Sequence, residues 1–360
     1  IRLYGTAGIT LSEKLMIQNE FEFDNKGKSD LHFQGVERGL NNGWVGYLQH
    51  SSLMYNYSNG LLSIGRGNPY FYNMNESLLI NPYFPSAEYV WWQHEVQWFQ
   101  YDWGFLMLNK IDSWNRFLTF HRYGIEDDNW RIGFTEAVIG KYDNWGSEEM
   151  GYIMPAAVLL ETEENRGIAD DGVNLMWLLD GMLKWQKWTL YGELLIDDFA
   201  LDGKSPPQIA ASIGIGRKID KILINVEYTR INRWTGNYCN SLKRWVEKDV
   251  PIGHSLGSDA HQILFSSYMP VNDKLTLELF INGVESSEGS GIDRLKTWPE
   301  NVACDYNFGE NEPSPSEKYI TYYIGGSFQY LFTENILTTL KMNLNEKEFH
   351  FNLNITYHYK

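Results

Sequence analysis

The last twelve residues, Phe349 to Lys360, alternate apolar and polar without a break and place Phe349, Phe351, Leu353, Ile355, Tyr357 and Tyr359 on one side. Successive side chains of a strand point to opposite faces, so this segment is a ribbon with one apolar and one polar face. Such a segment at a chain's end fits the closing strand of a barrel with lipid on one side and a polar lumen on the other. The chain has no run of the roughly 18 apolar residues that a membrane helix needs, which excludes a helical membrane protein.

A mean hydropathy of -0.39 reads like a soluble protein, but a barrel carries its apolar residues at every second position and averages to polar. Aromatic residues make up 15%, with 14 Trp and 23 Tyr, and these residues concentrate where a surface meets the membrane interface. A soluble β-sandwich or propeller is the alternative. The net charge of -16 argues against nucleic acid, which needs clustered Lys and Arg. Cys239 and Cys304 lie in no C-x-x-C or Cys/His pattern; they could pair in an oxidising compartment or remain two free thiols. Ile1 is followed by no charged or apolar leader, so an export signal is expected to be removed or to lie outside this sequence. Tyr359 resembles the terminal aromatic read during outer-membrane barrel assembly.

Alternating runs recur along the chain. Strands are expected to start near Arg2, Lys14, Trp44, Leu61, Glu88, Gly104, Asn115, Asn129, Val173, Trp188, Gln208, Lys221, Ala260, Lys274, Glu317, Asn335 and Glu348. Short turns are expected at Leu11–Glu13, Ser58–Gly60, Tyr101–Trp103, Glu126–Asp128, Lys218–Asp220, Val271–Asp273 and Phe332–Glu334. Long loops are expected at Asn25–Gly43, Gly67–Ala87, Gly140–Gly172, Thr235–Asp259 and Ser286–Ser316. The expected fold is all-β, a transmembrane antiparallel barrel of 16 to 18 strands forming one domain over residues 1–360, with short periplasmic turns and long extracellular loops. An even strand number requires one strand beyond the seventeen, either before Ile1 or inside a long loop.

Glu161, Glu163, Glu164, Asp170 and Asp171 form one acidic cluster, and Asp143, Glu148 and Glu149 another. Hard cations favour such oxygens, yet neither has the spacing of an EF-hand, so Glu161, Glu163, Asp170 and Asp171 are candidates either for a cation or for a solvated loop. Asp197 and Asp198 are neighbours that point to opposite faces, unlike a glycosidase pair. The histidines make no metal pair, and there is no nucleophile elbow or P-loop. No enzyme activity and no cofactor are expected. Trp114, Trp145, Trp234, Trp245 and Trp298 sit in or beside loops, where they could stack on sugar rings or belong to the interfacial girdle.

Five stretches together resemble the Wzi-type capsule assembly outer-membrane proteins. They are Gly65-Arg66 followed by Glu76–Ile80, then Arg131–Val138, Tyr191–Phe199, Val226–Thr235 and Pro251–His261. The resemblance implies an 18-stranded outer-membrane barrel with a lectin-like role toward capsular polysaccharide or exopolysaccharide. Well-known members also carry a periplasmic helical bundle, for which no amphipathic stretch is present here. Glu227, Arg230, Asn232 and Arg233 match the family block; with Trp145, Trp234 and Trp245 they are the candidate glycan contacts, and a lumenal network bracing the barrel explains the four polar residues equally. The alternatives are a passive porin and a structural subunit binding other outer-membrane proteins. An open lumen would favour the channel.

Overall fold

The computed structural model describes residues 2–24, 45–69, 76–142, 151–155, 159, 173–198, 208–238, 240–248, 250–287, 318–333, 336–345 and 349–357. Seventeen strands form one antiparallel meander. They are β1 (Arg2–Ser12), β2 (Leu15–Asp24), β3 (Val45–Tyr57), β4 (Gly60–Gly67), β5 (Ala87–Val96), β6 (Phe99–Ile111), β7 (Trp114–Asp127), β8 (Trp130–Tyr142), β9 (Asn174–Trp185), β10 (Trp188–Asp198), β11 (Gln208–Ile219), β12 (Ile222–Ile231), β15 (Ala260–Pro270), β16 (Leu275–Ser287), β17 (Lys318–Thr333), β18 (Ile336–Asn345) and β19 (Phe349–Tyr357). Strands β13 (Val246–Glu247) and β14 (Val250–Pro251) make a separate small hairpin within the β12–β15 connection. β1 and β19 lie beside each other. As the first and seventeenth strands of an alternating series they run the same way.

All the expected strands are present, and sixteen of the seventeen begin within one residue of expectation. The exception is β6, which begins at Phe99 rather than Gly104. Its preceding turn is Gln97–Trp98, not Tyr101–Trp103, and Gln97 takes a φ of 56° there. The physical reason is that the alternation continues through the expected turn: Asp102 and Gly104 face inward while Tyr101 and Trp103 face outward, paired in register with β7. Left-handed φ at Gln97, Asp112, Gln186 and Asp220 marks four tight turns.

The two ends differ. At one end, connections of two to four residues join the strands; at the other lie the long connections, apart from short ones after β6 and β18. Across the wall the expected faces hold. In β11, Ile213 and Ile215 are exposed outside while Ser212 faces in, buried; in β12, Val226 and Tyr228 are exposed while Glu227 and Thr229 are buried. In β16, Leu279 and Ile281 are the exposed side chains. Sequential strands pair antiparallel from β1 to β19, so their backbone groups bond along the sheet, as a wall that spans a bilayer with strands requires.

Two clusters of buried apolar side chains lie on opposite sides of this wall. Inside, Leu106, Leu118, Phe120, Ile139, Met176 and Leu178 meet Leu78, Leu79, Ile80, Trp245 and Ile252 from two connections. Outside, Trp103, Phe105, Phe117 and Val138 are covered by Tyr152 and Leu159 from the β8–β9 connection. The Tyr101 hydroxyl donates to the Pro155 carbonyl, and the Leu159 N–H donates to Glu136 at 3.3 Å. This segment shields two polar groups on outward positions, His121 and Glu136, both buried.

Replacing outward Leu279 with Arg is expected to cost about 2 to 4 kcal/mol of folding stability in lipid vesicles, as for a cation facing the bilayer interior. Asn282→Arg, on the lumenal face, is expected to cost much less. Urea titration of the two folded variants checks the register.

Candidate functional site

At the long-loop end two connections enter the lumen. The residues 76–86 and the described residues of 232–259 pack against the inward face of the wall and are held by side chains that the strands project from it. Arg116 of β7 is the central clamp: it follows the inward parity of Leu118 and Phe120, so its guanidinium reaches the lumen fully buried. It donates to the carbonyls of Leu242 at 3.2 Å, Val246 at 3.0 Å and Arg244 at 2.6 Å, and to Asn109 Oδ1 at 3.0 Å. A guanidinium carries five donors in a fixed fork, which suits one residue to gathering several carbonyls.

Carboxylates do the complementary work. Glu193 of β10 accepts from the Leu78 N–H at 2.7 Å and from Ser77 at 3.1 Å. Asp197 accepts from the Gly236 N–H at 2.6 Å and from the Tyr238 hydroxyl at 3.1 Å. Glu247 accepts from the Asn109 N–H at 2.7 Å, tying the small hairpin to β6. The two loops also bind each other: Trp245 Nε1 donates to the Leu79 carbonyl at 2.7 Å, and the Asn81 N–H donates to Ile252 at 2.9 Å. Glu76 accepts from the Ser255 N–H at 2.8 Å and lies 3.5 Å from His254. Gly253 packs so closely that a Cβ would collide with the Leu78 carbonyl. A cavity of about 30 Å³ remains beside Trp245, bordered by Met176, Leu195 and His254.

Below this plug the lumen is polar. Arg122 of β7 binds Asp180 of β9 through two donors, at 2.9 and 3.2 Å, and stands 3.5 Å from Asp102 of β6. This network braces neighbouring strands and is distinct from the loop clamps.

The structure redistributes the residues singled out from sequence. Trp234 and Trp245 are 2% and 4% exposed and pack within the β12–β15 connection. Glu227 is buried on the lumenal side. Arg230 is not lumenal: it shares the parity of Tyr228 and is exposed on the outer face opposite His261. Asn232 ends the strand, its N–H donating to Ile209 at 3.1 Å, and Arg233 lies 5.0 Å over the Trp234 ring. Trp145, Glu161, Glu163, Asp170, Asp171, Cys239, Cys304 and Trp298 lie outside the described residues. Trp114 is on β7 beneath Lys141, whose ammonium is 4.5 Å from the ring. Arg116, Glu193 and Glu247 were not foreseen. A lone Arg on the otherwise apolar inward face of Trp114, Leu118 and Phe120 was the signal available.

Burial pushes the Glu247 carboxyl up to about 7, against the opposing influence of the Asn109 N–H, Arg116, Lys248 and Arg66. Burial also lowers His254, and Glu76 opposes it. A carboxyl raised above its unfolded value gives stability that is complete below that value, near 4.5, and is lost as pH rises toward 7. His254 acts in the opposite sense, favouring the docked loop as pH rises through its unfolded value of 6.5. Protection of the 232–259 loop from protease is therefore expected to fall between about pH 5 and 7 in the wild type relative to Glu247→Gln. Arg116→Met strands three carbonyls and a buried carboxylate. It is expected to weaken loop docking by roughly 3 to 5 kcal/mol, the cost of breaking a buried charge cluster, read as faster cleavage in the same loop.

No family profile and no curated protein matches the sequence. Solved structures do match the fold. Wzi from Escherichia coli, described as an outer-membrane protein involved in group 1 capsule assembly and a carbohydrate-binding β-barrel, superposes with a TM-score of 0.62 at 11% identity, covering 98% of this chain and 81% of its own. A variant of OccD1 (OprD) gives 0.50 at 10% identity, covering 94% and 79%. The outer membrane protein OprD from Pseudomonas aeruginosa gives 0.48 at 10%, covering 98% and 87%. The chain thus has the fold of the β-barrels that cross bacterial outer membranes.

Proposed function

We propose that this chain is an outer-membrane barrel that binds or organises capsular or other surface polysaccharide at the cell surface without covalent catalysis. The observation that supports this reading is the docking of two loops inside the barrel, clamped by Arg116, Glu193 and Asp197. Loops anchored in this way build a surface at the long-loop end, and surfaces built by loops on a rigid barrel are places for recognition. The fold likeness to a carbohydrate-binding barrel supports the same reading. Three of the stretches that resemble the Wzi-type proteins, at Glu76–Ile80, Tyr191–Phe199 and Pro251–His261, meet in the plug, joined by Glu193 and Glu76.

Sugar contacts in this reading come from groups on the loops: Tyr83, 55% exposed on the first plug loop, presents an aromatic ring, Asn232 and Arg233 follow the end of β12, and Trp145 is a candidate from the sequence. Trp234, Trp245 and Glu227 act indirectly, by holding the loops and wall that carry those groups. The runner-up is a passive channel, and an assembly subunit is the third reading.

Planar-bilayer recording and glycan binding separate these. The purified barrel is expected to conduct little, to bind capsule or exopolysaccharide from its own source saturably, and to lose about tenfold in affinity when Tyr83 becomes Ala, the loss of one stacking contact. A steady open-channel conductance with no glycan binding would sink the proposal.

A further inference from the structure

Arg230 raises a question that the polysaccharide reading leaves open, because an exposed guanidinium on the outer wall of a barrel has lipid for a neighbour. It stands at the long-loop end of β12, opposite His261 of β15, and has no ion pair or hydrogen bond among the described residues. Around it the outer wall is concave. A groove of about 450 Å³ runs across β12, β15, β16 and β17, and its hollow lies at Gly283, which has no side chain between Ile263 and Tyr322. The floor is apolar: Ile263, Phe265, Ile281 and Ile320 all face outward and are exposed. From His261 to Phe265 it extends roughly 13 Å along the strand at the usual strand rise.

The rim is polar and lies at one end only. The Tyr228 hydroxyl and His261 Nδ1 are 2.9 Å apart, and Lys318 pairs with Glu285 at 3.2 Å. Arg230, Lys318, Glu285 and Asp259 all act electrostatically on His261, so these groups form one cluster. Lys318 and Glu285 offset each other, which leaves the Arg230 guanidinium as the rim cation without an ion pair among the described residues.

We propose that this groove binds a phosphorylated acyl lipid of the outer leaflet, with an acyl chain along Ile263, Phe265 and Ile281 over Gly283 and the phosphate on Arg230. An outward hollow in a membrane barrel is filled by lipid tails, so the occupant's body follows from the wall's position. The head follows from the rim: at the interface, where water is partly excluded, a guanidinium fork matches a phosphate and forms charge-assisted hydrogen bonds. The site is independent of the loop plug.

The test is native mass spectrometry of the detergent-folded barrel titrated with dioleoylphosphatidic acid, with dioleoylglycerol carrying the same chains without phosphate, and with inorganic phosphate as competitor. Phosphatidic acid is expected to be retained about tenfold more tightly than the diacylglycerol, the value of one charge-assisted contact. Arg230→Gln is expected to erase that difference. Gly283→Leu, whose Cβ would meet Tyr322 at an ordinary 3.5 Å, is expected to displace both lipids by filling the hollow. Heat-modifiable migration on a gel confirms that each variant is a folded barrel, and Arg230→Gln, a surface change, keeps the test available if Gly283→Leu does not fold. Equal retention of the two lipids by wild type, or unchanged retention of phosphatidic acid in Arg230→Gln, would overturn the proposal. So would displacement of the lipid by millimolar inorganic phosphate, which would make this a simple anion site.

Discussion

Backbone N–H and C=O groups have no water to bond in hydrocarbon, and every feature of this wall follows from that constraint. Strands therefore pair with their neighbours in one meander, and each residue has one of two destinations, lipid or lumen. The sequence obeys by alternation. Where an outward position is polar, as at His121 and Glu136, the chain supplies its own cover from the β8–β9 connection, with Tyr152 and Leu159 lying over the wall. The same rule that makes outward Ile213 and Leu279 ordinary makes these two buried polar groups conspicuous.

The interior solves a different problem. A barrel of this size encloses more space than its inward side chains can fill, and two loops enter that space at one end. Loops carry unpaired backbone, so bringing them into the lumen is stable only if the wall supplies partners. Arg116 serves three backbone carbonyls, Glu193 and Asp197 serve four donors, the Leu78 and Gly236 N–H groups and the Ser77 and Tyr238 hydroxyls, and Trp245 closes one loop on the other. The plug is therefore a set of polar anchors around an apolar centre. The same arrangement leaves Tyr83 of the first loop exposed.

The outer and inner surfaces then divide the work of recognition. Loops facing out present groups to polymer, while the lipid-facing wall near the same end holds a groove and a cationic rim. Arg230 and Arg233 are three residues apart on one strand and its exit, yet the strand's end separates them: one belongs to the wall and the other stacks on Trp234 among the loops.

The strands were legible in the sequence because a period of two is a local property that the membrane imposes on every span. Sixteen starts could be placed to within one residue, and the β6 start was missed because Tyr101 and Asp102 resemble a turn while their alternation continues the strand. The outward direction of Arg230 was also present in the sequence, in its parity with Val226 and Tyr228, but its family block drew it toward the lumen. What alternation cannot encode is the path of a loop. Trp234 and Trp245 read as surface aromatics because nothing local distinguishes a loop that projects from one that folds inward. Arg116 and Glu193, distant in sequence from the loops they anchor, gain their roles only when the wall brings them opposite those backbones. The sequence thus determined the barrel and its two faces, since each depends on neighbouring residues; the tertiary structure alone decided that two loops dock inside it, since that depends on donors and acceptors more than a hundred residues apart meeting in space.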